Sequence, residues 1–369
     1  MQSKAKWLLL PVVGILLTTW IAVGRQTSVR KVDDNVLKNA AKGTEWLTYG
    51  QSWSEQRYST MTQITPQNIG KLSLTWSYEV GPGGGKQEAT PLFADGVMYV
   101  ITNWSITSAI DARTGKELWR WDPEVNQATV RPKICCGIVN RGLAIYENLI
   151  ISAALDGRLI ALDMATGKPV WETRHVWSQD SYTVTMAPRI AKGKVIIGAG
   201  GAEYPVRGLV AAYDAKTGKE AWRFYTVPGD PKKGFESKAL EVAEKTWDGE
   251  WWKIAGGGGT VWDAALYDPT TDLLYFGTGN PTPWNSRART PSVGEKLSIW
   301  PRKASACSAD VPRTPTRRAL STPGWRAGTG AGSRAAARVR GCMASRLQVG
   351  ATQAARRPPV GTPVVIRED

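Results

Sequence analysis

Hydrophobic and polar positions alternate in short runs along most of the chain, and the runs return at a near-constant spacing. "GVMYVIT" (96–102), "NLIISAAL" (148–155) and "KVIIGAG" (194–200) each read as a β-strand, and each is followed by a variant of one phrase. The phrase is "DARTGKELW" from Asp111 to Trp119, "DMATGKPVW" from Asp163 to Trp171 and "DAKTGKEAW" from Asp214 to Trp222. A degenerate copy, "YDPTTDLLY", begins at Tyr267 with its aspartate at Asp268. Asp-x-x-Thr-Gly predicts a tight turn between antiparallel strands, with glycine at the positive φ that a β-carbon disfavours. A further strand follows the turn, as in "AWRFYTV" (221–227).

The four aspartates lie 52, 51 and 54 residues apart. A period of that length with several strands per unit predicts an all-β fold, a β-propeller whose blades are four-stranded sheets. The tryptophan ending each phrase is placed to fill the gap between neighbouring blades. An open array of β-sandwiches is the alternative arrangement. Four to five blades are specified before the pattern stops.

It stops near Asn285. Beyond that point there is no Phe or Tyr, and Arg, Ala, Pro, Ser, Gly and Thr dominate. "RAAARVRGCMASRLQVGATQAARRPPVG" (334–361) follows neither strand nor helix periodicity and reads as a disordered, low-complexity basic tail. Such a tail either binds an acidic partner or is out-of-frame translation of a GC-rich gene. The second reading is preferred, because such translation typically yields this mixture of residues; codons allowed for Pro312–Thr316, read two bases later, also permit the start of another repeat phrase.

The start of the chain reads as an export signal. Lys4 and Lys6 precede an apolar run from Trp7 to Gly24, and Ala22 and Gly24 suit a signal peptidase. An uncleaved membrane anchor is the alternative. The expected organisation is a signal peptide over 1–24, a linker over 25–43, a partial propeller over 44–290 and the aberrant tail over 291–369. Export implies a periplasmic protein in an oxidising compartment.

The net charge of +15 invites a nucleic-acid reading, but its location opposes one. Residues 285–369 hold 16 Lys or Arg against 4 Asp or Glu, a balance of +12, which leaves 15 − 12 = +3 for the first 284 residues. No nucleic-acid partner is expected.

Several residues stand out from the blade scaffold. Cys135 and Cys136 are adjacent, a spacing that suits neither a zinc site nor a long-range staple. They are two buried thiols or a strained disulfide between neighbours. Glu88 is a carboxylate in a strand-like approach. Thr185 precedes a Met-Ala-Pro step, Gly200 and Gly201 allow a ligand close to the backbone, and Glu203 follows them. Thr260 and Trp262 follow four glycines, and Asn280 sits in a Gly-Asn-Pro turn. Singly, each has a plain reading: a solvated loop carboxylate, interblade packing, a turn former.

Together, "EWLTYGQSWSEQRYS", "ATPLFADGVMYV", "CCGIVNRG", "GGAEYPVRG", "FYTVPGDP" and "GTGNPTPWN" occur in the order and spacing of one family. The chain resembles the pyrroloquinoline quinone (PQQ)-dependent alcohol dehydrogenases, relatives of methanol and ethanol dehydrogenases, from about Glu45 to Asn285. The resemblance implies an eight-bladed propeller with the quinone in an axial funnel. It implies a Cys135–Cys136 ring disulfide over one face of PQQ and Trp262 stacked on the other. Arg141 would bind a quinone carboxylate, Thr185 and Thr260 would supply hydroxyls, Gly200 and Gly201 close backbone, and Glu88 a further contact. Glu203 and Asn280 would ligate a cation, Ca2+ or a lanthanide, acting as a Lewis acid.

The activity so implied is oxidation of primary alcohols to aldehydes, with electrons passing to a cytochrome c or a membrane quinone. The family's catalytic aspartate lies in a Trp-Asp segment that this chain does not match, so no catalytic residue is assigned and poor turnover is expected. A non-catalytic periplasmic propeller, binding or scaffolding, is the alternative function.

Overall fold

A computed structural model of the chain describes residues 30–81, 87–134, 137–247, 249–254, 256–263, 265–279 and 282, with three short strands further on. Three complete blades follow one another. The first is β1 (Leu92–Ala94), β2 (Val97–Ile101), β3 (Thr107–Asp111) and β4 (Glu117–Trp121). The second is β5 (Ala144–Tyr146), β6 (Leu149–Ala153), β7 (Arg158–Asp163) and β8 (Pro169–Arg174). The third is β9 (Arg189–Ala191), β10 (Lys194–Gly198), β11 (Leu209–Asp214) and β12 (Glu220–Tyr225).

Each blade is an antiparallel meander in sequence order. A fourth sheet opens with β13 (Ala265–Asp268) paired to β14 (Leu273–Gly277). Backbone pairing adds β15 (Ser308–Val311), β16 (Val339–Arg340) and β17 (Pro363–Glu368) to it. These short stretches are the only parts of the basic tail among the described residues.

Burial explains why the middle strands read as unbroken apolar runs. Every residue of β6 is buried, as are the interiors of β7, β10 and β11, because each middle strand packs on blades at both faces. The outer strands β4, β8 and β12 hold only exposed and half-buried residues. The half-buried Trp119 of β4 and Trp171 of β8 form the blade-to-blade joints. Trp119 Nε1 donates to the Met164 carbonyl at 2.9 Å, and Trp171 Nε1 to the Ala215 carbonyl at 3.2 Å.

Each acceptor follows the aspartate of the next blade's turn. In that turn Asp163 Oδ1 accepts from the Ala165 and Thr166 amides and the Thr166 hydroxyl, while Gly167 adopts φ +69. The Asp111 and Asp214 turns repeat these bonds. The propeller expectation and its turn chemistry therefore hold.

A further joint lies upstream. Trp76 Nε1 donates to the Ala112 carbonyl at 3.0 Å and covers Gly115, just as Trp119 covers Gly167. The stretch around Trp76 thus takes the place of an outer strand for a blade preceding the first. Leu72 and Leu74 on it are 61% and 84% exposed, so among the described residues its inner strands are lacking.

The stretch expected as a linker differs from its expectation. From residue 30 onward it is docked on the second and third blades. Val32 bridges to Glu147, and Asp33 caps the helix α1 (Asp34–Lys38) by accepting from the Val36 amide. Asp34 then accepts from the Gly193 amide at 3.2 Å, and Leu37 is 1% exposed. The apolar N-terminal run lies outside the described residues. Among the described residues no helix is long and apolar enough to cross a membrane.

Candidate functional site

The loops that lead into successive blades meet at one end of the sheets and are stitched there by isolated bridges. Thr90 pairs with Gly142, Thr183 with Gly200, and Arg207 with Gly258. The glycine run Gly256–Gly259 has positive φ at all four residues, a series open to glycine alone. It turns the chain sharply enough to set Trp262 beside Gly200, where an added β-carbon would lie 3.7 Å from Trp262 Cβ, and a β-carbon on Gly279 would lie 3.0 Å from the Trp262 indole and 3.1 Å from the Thr260 hydroxyl.

Arg141 is the centre of this site. Its backbone amide donates to the Thr185 carbonyl at 3.1 Å, and its carbonyl accepts from the Thr90 amide at 3.1 Å. Its Nη1 donates to the Thr185 carbonyl at 3.3 Å and to the Thr185 hydroxyl at 2.8 Å. Nη2 lies 3.2 Å from Glu88, and Nε lies 3.8 Å from Asp263. The guanidinium carbon sits 5.0 Å over the Trp262 ring, a cation–π distance. Trp262 is 42% exposed beside this cation.

The Thr260 hydroxyl is buried without a hydrogen-bond partner among the described residues. Gly201 has φ +115, and a β-carbon there would meet the Ser181 carbonyl at 2.6 Å. Glu203 is exposed in the following loop. Cys135, Cys136 and Asn280 lie outside the described residues. The neighbours of the cysteine pair are tied to the site, since the Tyr204 hydroxyl donates to the Pro132 carbonyl at 2.5 Å and Lys133 Nζ to the Ser178 carbonyl at 2.6 Å.

The structure thus gathers Glu88, Arg141, Thr185, Gly200, Thr260 and Trp262. Among the described residues no group of three or more His, Cys, Asp or Glu side chains is clustered to hold an ion.

Sequence reasoning missed a layer behind this cluster. Arg57 Nη2 donates to the Thr90 hydroxyl at 2.7 Å, and its guanidinium lies 4.5 Å from the Tyr49 ring. Arg189 covers Tyr49 at 4.0 Å and pairs with Glu55 at 2.9 Å. Burial pushes the Glu55 carboxyl up, and the Arg189 charge partly offsets it. A cleft of about 330 Å³ separates this layer from Tyr275 and Phe276 of β14, with Asp263 on its wall. Asp263 is missed as well: of "TVWD", the resemblance gives roles to Thr260 and Trp262 and none to the aspartate.

Residues 46–292 match the model of a family described as the PQQ glucose/ethanol/alcohol dehydrogenase β-propeller domain. A quinohemoprotein alcohol dehydrogenase, ADH IIB of Pseudomonas putida, is 49% identical over 291 residues, covering 78% of this chain and 42% of that relative. The crystal structure of the quinohemoprotein alcohol dehydrogenase of Comamonas testosteroni superposes with a TM-score of 0.66 at 47% identity, over 72% of this chain and 40% of that one. A europium-containing methanol dehydrogenase superposes with a TM-score of 0.63 at 34% identity, over 74% of this chain and 48% of that one. The chain therefore spans less than half the length of these relatives.

Proposed function

The chain belongs to the PQQ-dependent glucose/ethanol/alcohol dehydrogenase β-propeller family, and from that membership we propose that its folded body binds PQQ for the oxidation of primary alcohols to aldehydes. The single observation that carries this reading is the Arg141–Trp262 pair with the orphaned Thr260 hydroxyl beside it. Together they offer a flat aromatic face, a forked cation and a spare polar atom, which suits a planar quinone bearing carboxylates. When bound, PQQ supplies the two-electron acceptor.

The chain's own residues do the rest. Trp262 fixes the plane of the ligand, Arg141 holds a carboxylate, and Thr185 keeps the guanidinium in place through both Nη1 contacts. Thr260 satisfies its hydroxyl on the ligand, and Gly200 and Gly201 keep side chains out of the approach. Cys135 and Cys136, joined as a disulfide in the periplasm, are proposed to close the opposite face. Glu203 and Asn280 are proposed as oxygen ligands to a cation, Ca2+ by default and a lanthanide otherwise. Electrons are proposed to leave to a cytochrome c or a membrane quinone. The domain limits of 1–24, 44–290 and 291–369 are part of the same reading.

No residue of this chain matches the family's catalytic aspartate, so binding is proposed to outrun turnover. Equilibrium dialysis of the full chain against PQQ with Ca2+, followed by a dye-linked ethanol assay, tests both halves. The expected result is one retained quinone per chain with oxidation near background. Failure to retain PQQ sinks the cofactor reading, and robust oxidation sinks the claim of poor turnover.

A further inference from the structure

The guanidinium of Arg141 has five N–H donors, and their partners differ in how firmly they are held. Both Nη1 bonds go to Thr185, a buried residue bonded through its own backbone to Arg141. The Nη2 end meets Glu88, whose side chain is 39% exposed and lies outside any strand. The Nε edge faces Asp263, which is set between Trp262 and the first strand of the fourth sheet. Asp263 Oδ1 is buried with no hydrogen-bond partner among the described residues, while its other oxygen, Oδ2, lies 3.8 Å from Arg141 Nε and makes the carboxylate's one ion pair there. A buried carboxylate oxygen is tolerated only where a charge compensates it. Asp263 and Arg141 therefore hold each other, while Glu88 at the opposite end is exposed and exchangeable.

We propose that Asp263 is a positioning residue: it pins Arg141 by the Nε edge, so that an anionic ligand carboxylate exchanges with Glu88 at Nη2 without the guanidinium rotating off Trp262. This rests on the PQQ reading above and adds to it a residue with no ligand contact of its own. The expected effect is opposite in sign to simple electrostatics. PQQ carries three carboxylates, so deleting a nearby negative charge should tighten its binding if charge repulsion is all that matters. If Asp263 positions Arg141, deletion weakens binding instead.

The test uses the full chain and two readouts. The first needs no ligand: the Arg141 Nε–H resonance in 15N-arginine-labelled protein, assigned by its loss in Arg141→Leu. It is expected to be protected from solvent exchange in the parent and in Glu88→Gln, and to broaden away in Asp263→Asn. The second is the PQQ dissociation constant by calorimetry, expected to rise about tenfold in Asp263→Asn, the scale of one partly buried ion pair. It should not rise further when Asp263→Asn is added to Arg141→Leu, whereas a merely structural role would add.

An unchanged Nε–H resonance in Asp263→Asn overturns the proposal whether or not PQQ binds. Equal or tighter PQQ binding by the variant overturns it as well. A parent chain that retains its Nε–H signal but binds no PQQ overturns the cofactor reading, and leaves the Asp263–Arg141 coupling standing on the resonance alone.

Discussion

Gly167→Ala tests the blade-to-blade joint that organises the whole fold. Gly167 has φ +69, and a β-carbon built there would lie 2.5 Å from Cδ2 and Cε3 of Trp119 and 3.0 Å from its Cγ. The left-handed conformation costs alanine about 1–2 kcal/mol. Pushing a half-buried indole out of its seat adds roughly 1–3 kcal/mol of overpacking. Losing the bond from Trp119 Nε1 to the Met164 carbonyl adds about 1 kcal/mol. The sum is about 3–6 kcal/mol. Gly96→Ala is the control, because Gly96 has φ +78 yet nothing within 4 Å of its would-be β-carbon. It should lose only the conformational term, about 1–2 kcal/mol. The gain from restricting the unfolded chain is common to both and cancels. Equilibrium urea unfolding followed by tryptophan fluorescence reads the difference. At an m-value of about 3 kcal/mol per M, the Gly167 variant should unfold about 1 M earlier than the control. Coincident midpoints would refute the claim that the Trp–Gly contact carries the joint.

Three further outcomes follow from the same contacts. Thr260→Val removes a buried hydroxyl with no partner among the described residues, so the unliganded chain should be as stable or about 1 kcal/mol more stable, while PQQ binding weakens about five- to tenfold; urea midpoints and calorimetry check the two signs. His175 is buried with Nδ1 2.9 Å from the Tyr213 hydroxyl, and burial, aided by the Arg223 charge, pushes its pKa down from 6.5 to about 3. The unfolded chain then takes up a proton that the native chain refuses, so stability falls as pH drops below about 6.5, by about 2 kcal/mol at pH 5. His175→Asn should flatten that part of the stability–pH curve, and an unchanged slope would count against a neutral native His175. Leu37→Ala should cost about 2–5 kcal/mol if the helix around it is docked in the core, and almost nothing if the stretch is a free linker.

Periodic features were the legible ones. The Asp-x-x-Thr-Gly turns and their tryptophans repeat three times, so one physical cause, a positive-φ glycine under an indole, is read repeatedly. The joint at Trp76 escaped because "LTWSYEV" carries the tryptophan without the turn that announces the others. The docked N-terminal stretch escaped because α1 is too short for helical periodicity, and its signal is a single capping aspartate, Asp33. In the site, residues bearing family motifs were found. The supporting layer of Tyr49, Arg57, Glu55 and Arg189 was not, because these contacts join distant positions and depend on the closed sheet packing. Asp263 belongs to the same class, since its meaning comes from Arg141, far from it in the chain.

The central claim is that Arg141, Thr260 and Trp262 form one face of a PQQ site, and the structure of the full chain crystallised with PQQ and Ca2+ tests it most directly. The account predicts planar density against the Trp262 indole, a carboxylate on Arg141 Nη2 where Glu88 now sits, and a polar atom within hydrogen-bond reach of the Thr260 hydroxyl. Density for the quinone elsewhere, with the Glu88–Arg141 pair intact, would contradict it.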